Sequence, residues 1–208
     1  MKGIFITFEG IEGCGKSTQV ELLKKHLDNE GMDVILTREP GGTEISERIR
    51  DLLLDPSHKE MLPETEVLLY AASRSQHTGQ KIIPAIESGK VVICDRYYDS
   101  TIAYQGAARQ INETAIKFLC EFAAYHHEPD LTFLIDVAVE TGLGRINPES
   151  ADRLEQESFD FHRRVRRGFL ELAEKQSRII IIDGQKSINE INGIIIDKVK
   201  EYIKERSK

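Results

Sequence analysis

The chain has 208 residues, a length that suits one α/β domain with a substantial core, or one domain carrying a small mobile insertion. Its 28 Lys and Arg against 35 Asp and Glu leave a net charge of −7, which argues against a broad grip on nucleic acid or an anionic membrane, so any anion site must be built locally. Three cysteines without metal-type spacing, an apolar N-terminal run too short for a signal peptide and the lack of any membrane-spanning run predict a soluble cytoplasmic protein with reduced thiols.

The first predicted element is a buried strand over residues 3–8, Gly3-Ile4-Phe5-Ile6-Thr7-Phe8. After Glu9 comes Gly10-Ile11-Glu12-Gly13-Cys14-Gly15-Lys16-Ser17, which matches the pattern G-x-x-x-x-G-K-[ST], and from Thr18 to Leu27 the spacing is helical. Strand, glycine loop and helix are the context this motif needs. The glycines let backbone N–H groups wrap a phosphate, and the helix N-terminus adds its positive dipole end. Lys16 is expected to reach the β- and γ-phosphates of a bound nucleoside triphosphate, and the Ser17 hydroxyl to ligate Mg²⁺.

A second strand over Val34-Ile35-Leu36 leads into Thr37-Arg38-Glu39-Pro40-Gly41-Gly42-Thr43, where Glu39-Pro40 is a candidate cis bond and the glycine pair fits a sharp turn. Residues 43–88 are predicted to hold two helices around Pro56 and Pro63. Further strands are expected at Val91 to Cys94, Leu131 to Ile135 and Ile179 to Ile182, with helices over 112–127 and 159–176. The alternation predicts an α/β fold with a five-stranded parallel sheet, flanked by helices on both faces because the strands are apolar throughout. Ligands should gather at the carboxyl ends of the strands, which carry Glu9, Arg38, Asp95-Arg96, Asp136 and Asp183. The expected mobile piece is a lid at about 143–155, where Gly142, Gly144, Asn147, Pro148, Glu149 and Ser150 interrupt helical spacing. His77, His126, His127 and His162 do not fall at metal-ligand spacing and read as structural, and the Arg163 to Arg167 run reads as a solvated helix face.

A phosphate loop alone does not separate a kinase from a nucleotide switch or a motor. The arginines do. Arg38 and Arg96 follow neighbouring strands and Arg74 lies in Leu69-Tyr70-Ala71-Ala72-Ser73-Arg74-Ser75-Gln76-His77, which in an acidic protein suggests a second anionic ligand facing the nucleotide. A guanine-switch reading lacks its N/T-K-x-D motif, because Asp197-Lys198 has no partners.

With these residues in hand, the chain resembles the bacterial thymidylate kinases, nucleoside monophosphate kinases of the phosphate-loop class. The likeness is carried by Phe8 to Thr18, Thr37 to Thr43, Ala71 to His77, Asp95-Arg96-Tyr97 with Ser100, Ala103-Tyr104-Gln105-Gly106, and Asp152-Arg153-Leu154-Glu155, and it covers nearly the whole chain. It implies one domain over residues 1–208, the reaction ATP + dTMP → ADP + dTDP with Mg²⁺, and a homodimer. By that resemblance Gly10 to Thr18, Arg145 and Gln185 would bind the donor nucleotide, Gln185 beside the adenine. Arg38 and Arg96 would hold the dTMP phosphate, Arg74 would donate to a thymine oxygen, Tyr70 would stack on the base and Thr101 would bond its edge. Tyr104 would lie under the deoxyribose with Gln105 as a nearby polar contact, and Asp95 would organise Mg²⁺ with Ser17. Glu9 would touch sugar or metal, or brace the loop.

One branch of this family carries an arginine within the phosphate loop, and the other supplies it from the lid. The corresponding position here is Gly13, so the lid-supplied arrangement is implied, with Arg153 the first candidate and Arg145 the second, alongside Lys16. The lid itself departs from the pattern, because Ile146-Asn147-Pro148-Glu149-Ser150-Ala151 contains no arginine.

Overall fold

A computed structural model describes residues 3–206. Five strands, β1 (Ile4–Glu9), β2 (Val34–Arg38), β3 (Val91–Asp95), β4 (Leu131–Asp136) and β5 (Ile179–Asp183), form one parallel sheet in the order β2-β3-β1-β4-β5. The helices are α1 (Lys16–Asn29), α2 (Glu44–Leu54), α3 (Pro63–His77), α4 (Ile83–Glu87), α5 (Tyr98–Thr101), α6 (Glu113–Ala123), α7 (Val139–Leu143), α8 (Phe159–Lys175) and α9 (Ile188–Arg206).

Alternation along β1 divides the core. Ile4, Ile6 and Phe8 pack with Val20, Leu23 and Leu27 of α1 and Ile191, Ile195 and Val199 of α9, whereas Phe5 packs with Val67, Ile82, Ile86 and Cys120. Each aliphatic side chain so buried contributes about 1.5–3 kcal/mol, which is why the apolar strands demand cover on both sides. The edges are the exception to the expected two-sided burial. The β5 edge leaves Ile181 49 % exposed, and β2, at the other edge, is only half-buried over Val34 to Leu36.

Every strand runs one or two residues past its apolar stretch. Asp95 is the last rung between β2 and β3, opposite Arg38, and Asp136 pairs in register with Asp183. The polar residues at the strand ends are therefore fixed by the ladder itself and project at one edge of the sheet.

The helical regions add detail to the expectation in three places. α3 does not stop at His77 but continues through a π-helical turn, Thr78–Ile82, into α4, and the Ile83 N–H reaches back to the Thr78 carbonyl. Pro84, which lacks an N–H, sits at the start of α4, where a missing donor is tolerated. The stretch after β3 is also helical: α5 runs into a π-helical segment, Ile102–Ala108, that carries Tyr104 and Gln105. Such segments are rare and concentrate at functional sites. α8 clamps this one closely, since a Cβ at Gly168 would lie 2.7 Å from the Ala107 Cβ. The helix expected over 112–127 ends at Ala123, because Tyr125 and His126 adopt left-handed backbone at φ 51° and 56°.

Candidate active site

The phosphate loop joins β1 to α1 with Gly10, Gly13 and Gly15 at φ 137°, 67° and 99°, conformations that L side chains rarely adopt. Gly13 has a second constraint, because a Cβ there would run into the Gly142 carbonyl at the end of α7. An arginine at position 13 would be strained in this backbone and would displace the Gly142 carbonyl. Lys16 is buried and donates to the Gly10 and Ile11 carbonyls at 3.2 and 2.9 Å. Ser17 Oγ donates to Asp95 Oδ2 at 2.9 Å, which brings together the two residues expected to organise Mg²⁺. A hydroxyl and a carboxylate beside the buried loop lysine fit a hard cation that keeps several waters.

One cleft begins at Gly13, Lys16 and Ser17 and runs along Arg38, Pro40, Arg50 and Tyr70 to Arg74, Arg96, Thr101, Tyr104 and Gln105. Arg96, with φ 70°, donates to the Gly10 carbonyl at 2.9 Å, to Ser100 Oγ at 3.1 Å and to Glu12 Oε1 at 3.1 Å. Tyr104 also donates to Glu12, and the Arg96 guanidinium lies 5.2 Å from the centroid of the Tyr104 ring. His162 Nδ1 stands 3.3 Å from the second Glu12 oxygen. Burial opposes charge on Glu12, but Arg96, His162 and Lys16 outweigh it and hold its carboxyl down to about 2.

Glu9 stands behind the cleft wall. It is fully buried, accepts from Tyr97 N at 2.8 Å and Ser100 Oγ at 2.6 Å, and so ties β1 to the segment that carries Arg96. Burial and the neighbouring Asp99 push its carboxyl up, against the opposing pull of Arg96. Of the alternatives open for Glu9, its contacts are those of a brace.

The far end of the cleft is a buried relay. Arg74, 2 % exposed, donates through Nε to Glu39 Oε2 at 2.8 Å, Glu39 Oε1 lies 3.1 Å from His77 Nδ1, and His77 Nε2 lies 2.7 Å from Thr37 Oγ1. Arg74 Nη1 has no hydrogen-bond partner among the described residues, and neither has the buried Thr101 hydroxyl. Both residues line the cleft. The Glu39–Pro40 bond is cis. Tyr70 is cleft-lining and its hydroxyl is pushed up by burial and by Glu66. Gln105 is buried and donates Nε2 to Glu66 Oε1 at 2.8 Å.

On the other side of the phosphate loop a second cavity, lined by Gly13 to Gln19 with Arg145, Gly184, Lys186 and Ile188, would take the donor. Arg145 donates to the Gly13 carbonyl at 2.9 Å. Gln185 is not among the lining residues, although its neighbours on both sides are, and its N–H bonds Asp183 Oδ1. Arg153, the first-ranked lid candidate, is turned elsewhere: it donates to Glu66 Oε2 at 2.6 Å and to the Leu53 carbonyl at 2.9 Å, drawn by a buried carboxylate, and it lines neither cavity. Arg38, half-exposed, pairs with Glu47 at 2.9 Å. In the Arg163 to Arg167 run, Arg163 and Arg167 are solvated, whereas Arg166 grips Asp136 at 2.6 and 2.7 Å and Arg164 donates to the Ala108 carbonyl.

Arg50 escaped the sequence reading. It lines the cleft beside Arg38, donates to the Pro40 carbonyl at 2.8 Å, and burial together with Arg38 lowers its pKa. Its setting, Glu47-Arg48-Ile49-Arg50-Asp51, looks like any charged amphipathic helix. Glu66 also gave no signal, being one of two glutamates in the first turn of α3.

A phosphate loop at one end of a parallel sheet, with arginines across a shared cleft, defines a phosphate-loop phosphotransferase acting on two phosphorylated ligands. Comparison with known proteins narrows the class. The family model for thymidylate kinase matches residues 8–195. A thymidylate kinase of Halothermothrix orenii is 52 % identical over 204 residues, covering 96 % of this chain and 98 % of that protein. One from Thermoanaerobacter sp. (strain X514) is 45 % identical, covering 98 % and 100 %. The crystal structure of thymidylate kinase from Ehrlichia chaffeensis superposes with a TM-score of 0.78 at 36 % identity, over 96 % of this chain and 99 % of that one. The chain belongs to the thymidylate kinase family.

Proposed function

We propose that the chain transfers the γ-phosphoryl group of ATP to dTMP, giving ADP and dTDP for dTTP synthesis, as one domain over residues 1–208 with segment 143–155 as its lid. The observation that carries this reading is the shared cleft, in which Lys16 and Ser17 meet Arg38, Arg50, Arg74 and Arg96. Arg38 and Arg96, with Arg50 beside them, hold the acceptor phosphate. Tyr70, Arg74, Thr101 and Gln105 hold the thymine, and Tyr104 underlies the sugar. Glu9 braces the wall, and the Gly10 to Thr18 loop wraps the donor, whose adenine would lie near Gly184 and Lys186, with Gln185 between them turned out of the cavity. Ser17 and Asp95 would hold Mg²⁺, which neutralises charge on the β- and γ-oxygens when bound.

The protein's part in phosphoryl transfer is alignment and charge neutralisation, and the acceptor oxygen is already anionic near neutral pH, so no general base is needed. Arg145, already on the phosphate loop, supplies the lid-side cation, and Arg153 anchors the lid to α3. Exposed Leu68, Phe118, Phe122 and Tyr125 on α3, on α6 and just beyond it, with the two phenyl rings stacked at 5.9 Å, support a homodimer through this face. Three free cysteines suit a cytoplasmic site. Among the described residues, no helix is long and apolar enough to cross a membrane.

The test is a coupled ADP-release assay with ATP and Mg²⁺ over a panel of nucleosides and monophosphates. dTMP should be the best acceptor and should be required for turnover. The thymine methyl adds only about 10- to 200-fold over dUMP. Equal ATP turnover with no acceptor present would defeat the reading.

A further inference from the structure

The carboxylate of Glu66 is 1 % exposed, and four donors fill its lone pairs: Gln105 Nε2 at 2.8 Å and Arg109 Nε at 3.2 Å on Oε1, Arg109 Nη2 at 3.1 Å and Arg153 Nη1 at 2.6 Å on Oε2. Burial alone would favour a proton on Glu66, but the bonds from Arg109, Gln105 and Arg153 outweigh it and hold the group ionised. An ionised carboxylate only accepts. The Gln105 amide therefore cannot turn over, because the opposite orientation would set its oxygen against an acceptor inside a buried site. Its nitrogen end is committed to Glu66, and the oxygen is left for the cleft that Gln105 lines. Arg74, committed by Nε to Glu39, brings only donors to the same cleft.

The geometry points to Glu66 as the positioning residue that sets base selectivity, by locking Gln105 so that its amide presents a fixed acceptor beside the Arg74 donors, whereas the nearby Thr101 hydroxyl can rotate to donate or accept. This pattern matches the 4-oxo, N3–H edge of thymine or uracil. It opposes cytosine, whose edge carries a 4-amino donor and a bare N3 acceptor. The inference rests on the acceptor reading given above and adds to it the group that excludes cytidylates. The same carboxylate binds Arg153, so the base reader and the lid share one anchor.

The experiment measures calorimetric affinities for dTMP and dCMP in the intact protein and in Glu66→Gln, Gln105→Met and the double variant. In Glu66→Gln an amide that can donate as well as accept faces Gln105 and frees it to turn, so the dTMP-to-dCMP affinity ratio should fall about tenfold or more. In the Gln105→Met background the same change should move the ratio by less than about threefold. A folded Glu66→Gln protein with an unchanged ratio overturns the inference, as does an equal fall in both backgrounds. Gln105→Met alone keeps the inference testable if Glu66→Gln fails to fold: it should weaken dTMP more than dCMP, and the reverse order would show that the amide offers its NH₂. Absence of dTMP phosphorylation by the unaltered protein would sink the kinase reading itself, whereas retained dTMP kinase activity with an unmoved ratio sinks only this proposal.

Discussion

The two sides of the phosphate loop are built differently. The wall proposed for the acceptor is made of side chains already held by protein partners: Arg74 on Glu39, which His77 faces in turn, Gln105 on Glu66, and Arg96 on Gly10, Ser100 and Glu12. On the donor side Arg145 is exposed and rests on a single carbonyl, that of Gly13. Rigid placement suits reading a base, where an acceptor misplaced by an ångström loses discrimination. A cation that must meet charge developing during transfer can instead arrive with the lid.

Removing Arg96 should have the largest effect. Arg96→Met takes a bidentate group from the proposed phosphate site and leaves Glu12 with Tyr104 and His162 as its remaining partners, and kcat/KM for dTMP should fall about 10³-fold or more in steady-state assays. A fall below about tenfold would mean that the wall is not where the phosphate binds. The two lid arginines then separate the sides. Arg145→Ala should lower kcat about 10²–10³-fold with little change in the KM for dTMP. Arg153→Met should instead lower stability by about 1–3 kcal/mol in urea unfolding, because it strips one of several partners from a buried carboxylate that keeps Arg109 and Gln105, while kcat of the folded enzyme stays within about tenfold. If the two variants exchange behaviours, Arg153 is the catalytic arginine and the contrast between the sides is drawn wrongly.

The smallest effects come from two carboxyls three residues apart. Glu9, raised from 4.5 to about 8, binds a proton more tightly folded than unfolded, so its contribution to stability declines as pH rises through that interval. Glu12, lowered from 4.5 to about 2, contributes stability that is present above 4.5 and lost as pH falls toward 2. Glu9→Gln should flatten the decline in unfolding midpoint between about pH 4.5 and 8, and Glu12→Gln the decline below pH 4.5. Matching pH profiles for the two variants would remove the distinction between brace and ligand-facing carboxylate.

Much of the frame was legible in the residues alone. Apolar runs ending on Glu9, Arg38, Asp95 and Asp136 marked both the strands and the edge where ligands collect, because a buried parallel sheet needs the first and the ladder register delivers the second. The Gly10 to Ser17 pattern carried its own chemistry. Glu66 was illegible, since a glutamate in a helix's first turn ordinarily serves the dipole, and only the fold brings Gln105, Arg109 and Arg153 to it from 39, 43 and 87 residues away. That long-range pull also explains why Arg153, reasonable as a lid cation in a charged segment, is found facing the interior. Arg50 was hidden for a related reason, because amphipathic spacing does not distinguish a solvated arginine from one that overhangs a cleft.

The central claim is that the acceptor wall is complete without the donor side. Calorimetric titration of dTMP into the unaltered protein and into Arg145→Ala, with no ATP present, tests it most directly. The account predicts saturable binding of one dTMP per chain, with dissociation constants that agree within about twofold. No dTMP binding without ATP, or an Arg145→Ala affinity weakened about tenfold or more, would contradict it.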